Sequence, residues 1–159
     1  MMRFFLALSL CALAACASKA PAPGNPRQEQ AVQLNQRAQQ AFQRGEWRTA
    51  QALYEQALRL DVALENEDGI ALNLLNLARV QTAQGHYAEA QAWLRQLLED
   101  QALTYAGPHR AAAAVQLGLL HLRAGDLAAA RQRAGEAESH CGRDCPYAGI
   151  IANLGSFEK

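Results

Sequence analysis

Three stretches of the chain, "RGEWRTAQALYEQAL", "QGHYAEAQAWLRQLL" and "AGDLAAARQRAGEAE", begin at Arg44, Gln84 and Ala124, forty residues apart. Stepping by forty turns Trp47 into Tyr87 and Leu127, Ala50 into Ala90 and Ala130, Tyr54 into Leu94 and Ala134, and Ala57 into Leu97 and Ala137. Gly45, Gly85 and Gly125 keep the same step. A fixed period of this size marks an array in which one small unit recurs and neighbouring units share a core. Within each copy the kept apolar positions fall at offsets 0, 3, 7 and 10 from Trp47, which is one face of a helix. A second amphipathic stretch precedes each glycine: "LNQRAQQAF", "LNLLNLARV" and "AVQLGLLHL". The unit is therefore helix, tight glycine turn, helix. Ala, Leu, Gln and Arg dominate, and alternating runs of Val, Ile and Thr are missing, so an all-α chain is expected.

These segments resemble tetratricopeptide repeats. In that motif's register Gly45, Gly85 and Gly125 fill the turn between the two helices. Ala50, Ala90 and Ala130 fill its small packing position, and Ala57, Leu97 and Ala137 its later one. Gly118 fits the close-approach glycine of the first helix, where the other copies have Ala38 and Ala78. The usual period is about 34 residues, so extra residues such as "LENEDG" before Ile70 are expected to lengthen the first helix or its loop. Arg37, Gln81 and His121 stand where apolar or aromatic residues are usual. The resemblance runs from about Ala31 to Cys141 and implies an α-solenoid of about three helix-turn-helix repeats. The segment "YAGIIANLGSFEK" is too short for a fourth copy and reads as a capping helix.

The resemblance also implies a concave surface lined by the first helix of each pair, with a protein or peptide partner held there. The groove-facing positions it gives are Asn35, Gln39, Asn76, Arg79, Gln116 and Arg123. Asn76 is alternatively just the Asn common at its motif position, and Arg131, on a second helix, is expected to be exposed. The two-Lys carboxylate clamp of some family members is missing, which argues against recognition of a free C-terminus.

The N-terminal stretch "FFLALSLCALAACASK" is about half the roughly 20 residues that cross a bilayer. Arg3, an apolar middle to Leu13, and small residues before Cys16 have the order of a secretory signal. Leu13-Ala14-Ala15-Cys16 resembles the lipobox of bacterial lipoproteins, which implies removal of residues 1–15 and lipidation of Cys16. An ordinary signal with a chance cysteine is the alternative. Ala17 after that cysteine resembles the sorting pattern for the outer membrane, facing the periplasm. Pro21, Pro23, Gly24 and Pro26 then mark residues 16–29 as an extended tether, leaving 30–159 as the repeat domain.

The formal charge is zero, with no concentrated basic face for nucleic acid. Cys141 and Cys145, in "SHCGRDCPYAG", are expected to form a short-range disulfide in an oxidising compartment. Alternatives are a metal site with His140, short of a fourth ligand, or a redox pair, although the spacing is not C-x-x-C. His86, His109, His121 and His140 pair with no nucleophile pattern, so neither catalysis nor a metal or cofactor is expected. Glu65, Glu67 and Asp68 read as a solvated helix start. The leading expectation is a lipid-anchored envelope adaptor or scaffold, for pilus or secretion assembly or for cell-wall enzymes. The rivals are a thiol- or metal-dependent periplasmic factor using Cys141 and Cys145, and a carrier that holds an apolar small ligand among Leu72, Leu75, Val115 and Leu119.

Overall fold

A computed structural model describes residues 25–100, 105–142 and 144–156. They form seven helices: α1 (Pro26–Gln43), α2 (Trp47–Ala63), α3 (Glu67–Gln84), α4 (Tyr87–Glu99), α5 (Gly107–Arg123), α6 (Leu127–His140) and α7 (Ala148–Gly155). Helix α1 starts earlier than the expected end of the tether at residue 29. Asn25 accepts the Arg27 amide through its side chain, and Pro26 occupies the first turn, where its missing N–H costs nothing. Residues 26–29 are therefore helix. The signal, Cys16 and the rest of the tether lie outside the described residues.

The three glycine turns have one geometry. Gly45, Gly85 and Gly125 take φ of 75°, 82° and 80°, a left-handed conformation that a side chain disfavours. After each, an amide reaches back to a carbonyl five residues earlier: Glu46 to Ala41, His86 to Gln81, and Asp126 to His121. This pattern satisfies carbonyls that a helix end otherwise leaves open. The link between the first and second repeats uses the same bond, Asn66 to Asp61, with Glu65 at φ 53° in the left-handed place. Only Leu64 to Asn66 separate α2 from α3, so in the first period the extra residues lengthen helices, whereas in the second α4 ends at Glu99 and α5 begins only at Gly107, so the link is the longer part.

Helix pairs α1–α2, α3–α4 and α5–α6 stack in chain order, with α3 also touching α5 and α7 resting on α5 and α6. This is an all-α helical-repeat solenoid of three units closed by a short cap. The repeated face is the buried one: Ala50, Tyr54 and Ala57 on α2, Ala90, Leu94 and Leu97 on α4, Ala130, Ala134 and Ala137 on α6. Full burial of a leucine such as Leu94 or Leu97 contributes roughly 1.5–3 kcal/mol. Gly118 permits a close approach, since a Cβ there would sit 3.0 Å from Leu154 Cδ1 and 3.4 Å from the Ala130 carbonyl oxygen. The polar residues at usually apolar positions have local uses. Gln81 is buried with its Oε1 3.0 Å from His86 Nδ1, and His121 Nδ1 lies 3.8 Å from Asp126 Oδ2, each spanning a glycine turn. Arg37 is exposed.

The concave face as candidate partner-binding site

Helices α1, α3 and α5 supply most of the concave face, and two of its hollows hold the groove positions. Between α1 and α3 lies a hollow of about 550 Å³ lined by Asn35, Gln39, Asn76, Arg79, Leu72 and further glutamines of α1. Between α3, α5 and α7 lies one of about 730 Å³, lined by Arg79, Gln116 and Arg123 with Phe42, Val115, Leu119, Leu122, Tyr147 and Ile150. All six positions implied by the repeat register thus line one hollow or the other, and Arg79 lines both.

Several of these side chains already have internal work. Asn35 Nδ2 donates to the Ala31 carbonyl at 3.2 Å, while its Oδ1 is buried without a partner. Gln39 Oε1 accepts the Tyr54 hydroxyl at 3.0 Å. Burial pushes the Tyr54 phenol up, and the Arg79 charge partly offsets this. Asn76 is nearly enclosed, and its Oδ1 accepts Arg79 Nη1 at 3.0 Å, so it serves chiefly to orient the arginine. The Arg79 guanidinium also lies 4.9 Å from the Phe42 ring centre, and that ring packs edge-on against Trp47. Arg123 lies 5.0 Å from the Tyr87 ring. Both cations are thus stacked on aromatic faces, an arrangement that limits their motion while leaving polar atoms for a visitor.

The apolar quartet proposed for a small ligand does not stay together. Leu75 is core, Leu72 opens on the α1–α3 hollow, and Val115, itself largely buried, shares the second hollow with exposed Leu119. Leu72 and Leu75 belong to α3 and Val115 and Leu119 to α5, and only the α5 pair, at i and i+4, lines one hollow together. Arg131 departs from expectation too: it is half-buried, its Nε 3.4 Å from the Leu127 carbonyl, because its stem lies along α6 beside α7.

Other residues escaped the sequence reading. Phe42, Tyr147 and Ile150 shape the second hollow, and their signal was present as the apolar ends of "LNQRAQQAF" and "YAGII". Asp61 is more surprising, a carboxylate only 2 % exposed. Its Oδ1 accepts Asn66 Nδ2 at 2.7 Å and its Oδ2 accepts Asn73 Nδ2 at 2.8 Å. Burial pushes its carboxyl up, and the two donors partly counter this. The cluster ties α2 to α3 and is structural in character. Glu67 and Asp68 do lie in the first turn of α3, where His109 Nε2 from α5 comes within 3.2 Å of Asp68 Oδ1.

Cys141 and Cys145 are joined, with Sγ atoms 1.95 Å apart, across the turn from α6 to α7. In that form neither sulfur is a thiolate able to ligate a metal. Among the described residues no three His, Cys, Asp or Glu side chains gather as a metal site, and no helix is long and apolar enough to cross a membrane.

Residues 29–102 match the family profile of the tetratricopeptide repeat. The matched span contains most of α1 and all of α2, α3 and α4, the first two of the three helix-turn-helix units. Helices α5 and α6 repeat the same register forty residues further on. Proteins built on this repeat serve mainly to hold other proteins, which fits a face furnished for binding. No curated protein and no solved structure matches the chain.

Proposed function

We propose that the chain is a protein-interaction adaptor of the bacterial cell envelope, held to the periplasmic side of the outer membrane by lipid on Cys16. The observation that supports this most is the concave face itself. Across both hollows it offers carboxamides, two arginines held over rings and exposed apolar side chains, and no Asp or Glu lines either hollow. Carboxamides and guanidinium groups can hydrogen-bond a partner's backbone and side chains, while the apolar part supplies the area that drives association. The Pro-rich segment after Cys16 gives the repeat domain reach from the membrane. Within this class the chain serves as a scaffold, for pilus or secretion assembly or for cell-wall enzymes, and it holds a partner without chemical turnover.

The test is site-specific photocrosslinking in intact envelopes, with a photoreactive residue at Leu119 on the concave face or at exposed Ala52 on a second helix. A discrete adduct from Leu119 and none from Ala52 is expected. Adducts from Ala52 alone would move the working surface elsewhere. In parallel, Cys16→Ser should abolish acyl labelling and release the protein from the membrane or leave its signal uncut; unchanged labelling would remove the anchor.

A further inference from the structure

We infer that the hollow between α3, α5 and α7 takes an acidic amphipathic helix of a partner protein. This rests on the reading of the concave face as the binding surface and adds the chemistry of the occupant. The floor is apolar and follows a helical ridge: Val115, Leu119 and Leu122 stand at i, i+4 and i+7 on α5, with Ile150 of α7 beside them. Leu119 is 44 % and Ile150 41 % exposed, although large apolar side chains in the rest of α5 are mostly enclosed. A ridge of this spacing is what a second helix packs against, inserting its own i, i+3/i+4, i+7 side chains.

Charge gives the sign of the occupant. Arg79 and Arg123 line this hollow, and neither lies within ion-pair distance of a carboxylate among the described residues. Arg44 and Arg133, outside it, are paired with Glu46 and Glu136. Other arginines, such as Arg48 and Arg59, are also outside ion pairs among the described residues, but Arg79 and Arg123 are held over rings, those of Phe42 and Tyr87, at the edge of an apolar hollow that no carboxylate lines. Cations held in place beside an apolar floor favour carboxylates flanking an apolar stripe, because the ordering cost is already met and the charged bonds form partly out of water. A basic helix would bring like charges together at both places. α7 belongs to this site as well as capping the core, since Tyr147 and Ile150 form one wall.

The experiment is a selection from a random helical-peptide display library on the full mature chain with its disulfide intact, followed by anisotropy titration of the enriched peptides. Enriched sequences should be net acidic, with apolar residues at i, i+3 or i+4, and i+7. Their affinity should fall about ten-fold or more in Arg79→Gln/Arg123→Gln and in Leu119→Glu, and stay unchanged in Arg48→Gln on exposed α2 surface. Neutral or basic peptides that still lose affinity in Leu119→Glu would overturn the acidic occupant while leaving the concave face as binding surface. Peptides indifferent to Leu119→Glu would count against both. Failure to enrich any peptide overturns the inference. So does saturable, arginine-dependent binding of dodecanoate in preference to peptide, which would make the site one for an anionic amphiphile. Self-association abolished by Leu119→Glu, with no peptide bound, would assign the face to a second copy.

Discussion

The two ends of the solenoid use the same position in different ways. Asp61 and Cys141 stand two forty-residue periods apart, and both lie where a second helix hands over to the next element. At the first end Asp61 is buried and held by Asn66 and Asn73, so α2 and α3 are joined by a polar cluster. At the far end Cys141 is bonded to Cys145, and the neighbouring packing is between small residues: Ala114 of α5, Ala130, Ala134 and Ala137 of α6, and Gly118 under Leu154. One repeat plan thus accepts a hydrogen-bonded tie or a covalent one. The first is specific but sensitive to shape and protonation. The second is insensitive to protonation and yields only to reduction.

The sharpest break in this comparison is at Gly69. A Cβ there would meet Asn66 Nδ2 and the Asp61 carboxylate, so Gly69→Ala must push apart the polar cluster. Overpacking together with a strained buried hydrogen bond predicts a loss of about 3 kcal/mol in urea unfolding. Unchanged stability would mean that α2 and α3 are joined otherwise. The covalent tie comes next. Closing a five-residue loop restricts the unfolded chain by an amount worth about 2 kcal/mol, so Cys141→Ser/Cys145→Ser should lose about that much. Thiol counting on denatured, unreduced protein should find neither Cys141 nor Cys145 free; two free thiols would remove the bond.

Protonation gives the smallest effect and separates the ends. The folded Asp61 carboxyl is raised above its ordinary 3.8, mainly by burial. The folded state therefore binds the proton more tightly than the unfolded chain, and this contribution is fully present below the unfolded pKa and lost as pH rises through the folded value. Relative to Asp61→Asn, which does not titrate, wild-type stability should decline as pH rises from the ordinary aspartate range through the raised folded value. A parallel course for the two proteins would show that Asp61 does not titrate differently on folding, and the disulfide variant should show no such difference from wild type.

The fold was legible because its information is periodic. Gly45, Gly85 and Gly125 and the Ala50, Ala90 and Ala130 series recur every forty residues, and a helix pair that recurs has few ways to pack but as a stack. Placement of the groove residues followed from the same register. What the register could not show is which of them are already occupied: Gln39 by Tyr54, Asn76 by Arg79, Asn35 by its own helix. Only the Gln39–Tyr54 contact crosses helices; the other two run within α3 and α1 at i, i+3 and i, i+4, spacings that permit such bonds without deciding which side chains make them. Asp61 was hidden for the opposite reason, since it sits on the apolar face at offset 14 from Trp47, beyond the four positions that the repeat shares. Tyr147 and Ile150 belong to the cap, which has no counterpart in the other copies to mark its role.

The concave face is tested most directly at Arg79, the side chain common to both hollows. Measured against the crosslinked partner once purified, Arg79→Ala should weaken binding by roughly ten- to a hundred-fold, the equivalent of one charged hydrogen bond of about 1.5–3 kcal/mol. Arg48→Ala, on the exposed surface of α2, should bind as wild type does. Equal, undiminished affinity in both variants, each folded and membrane-bound, would contradict the assignment of the concave face as the working surface.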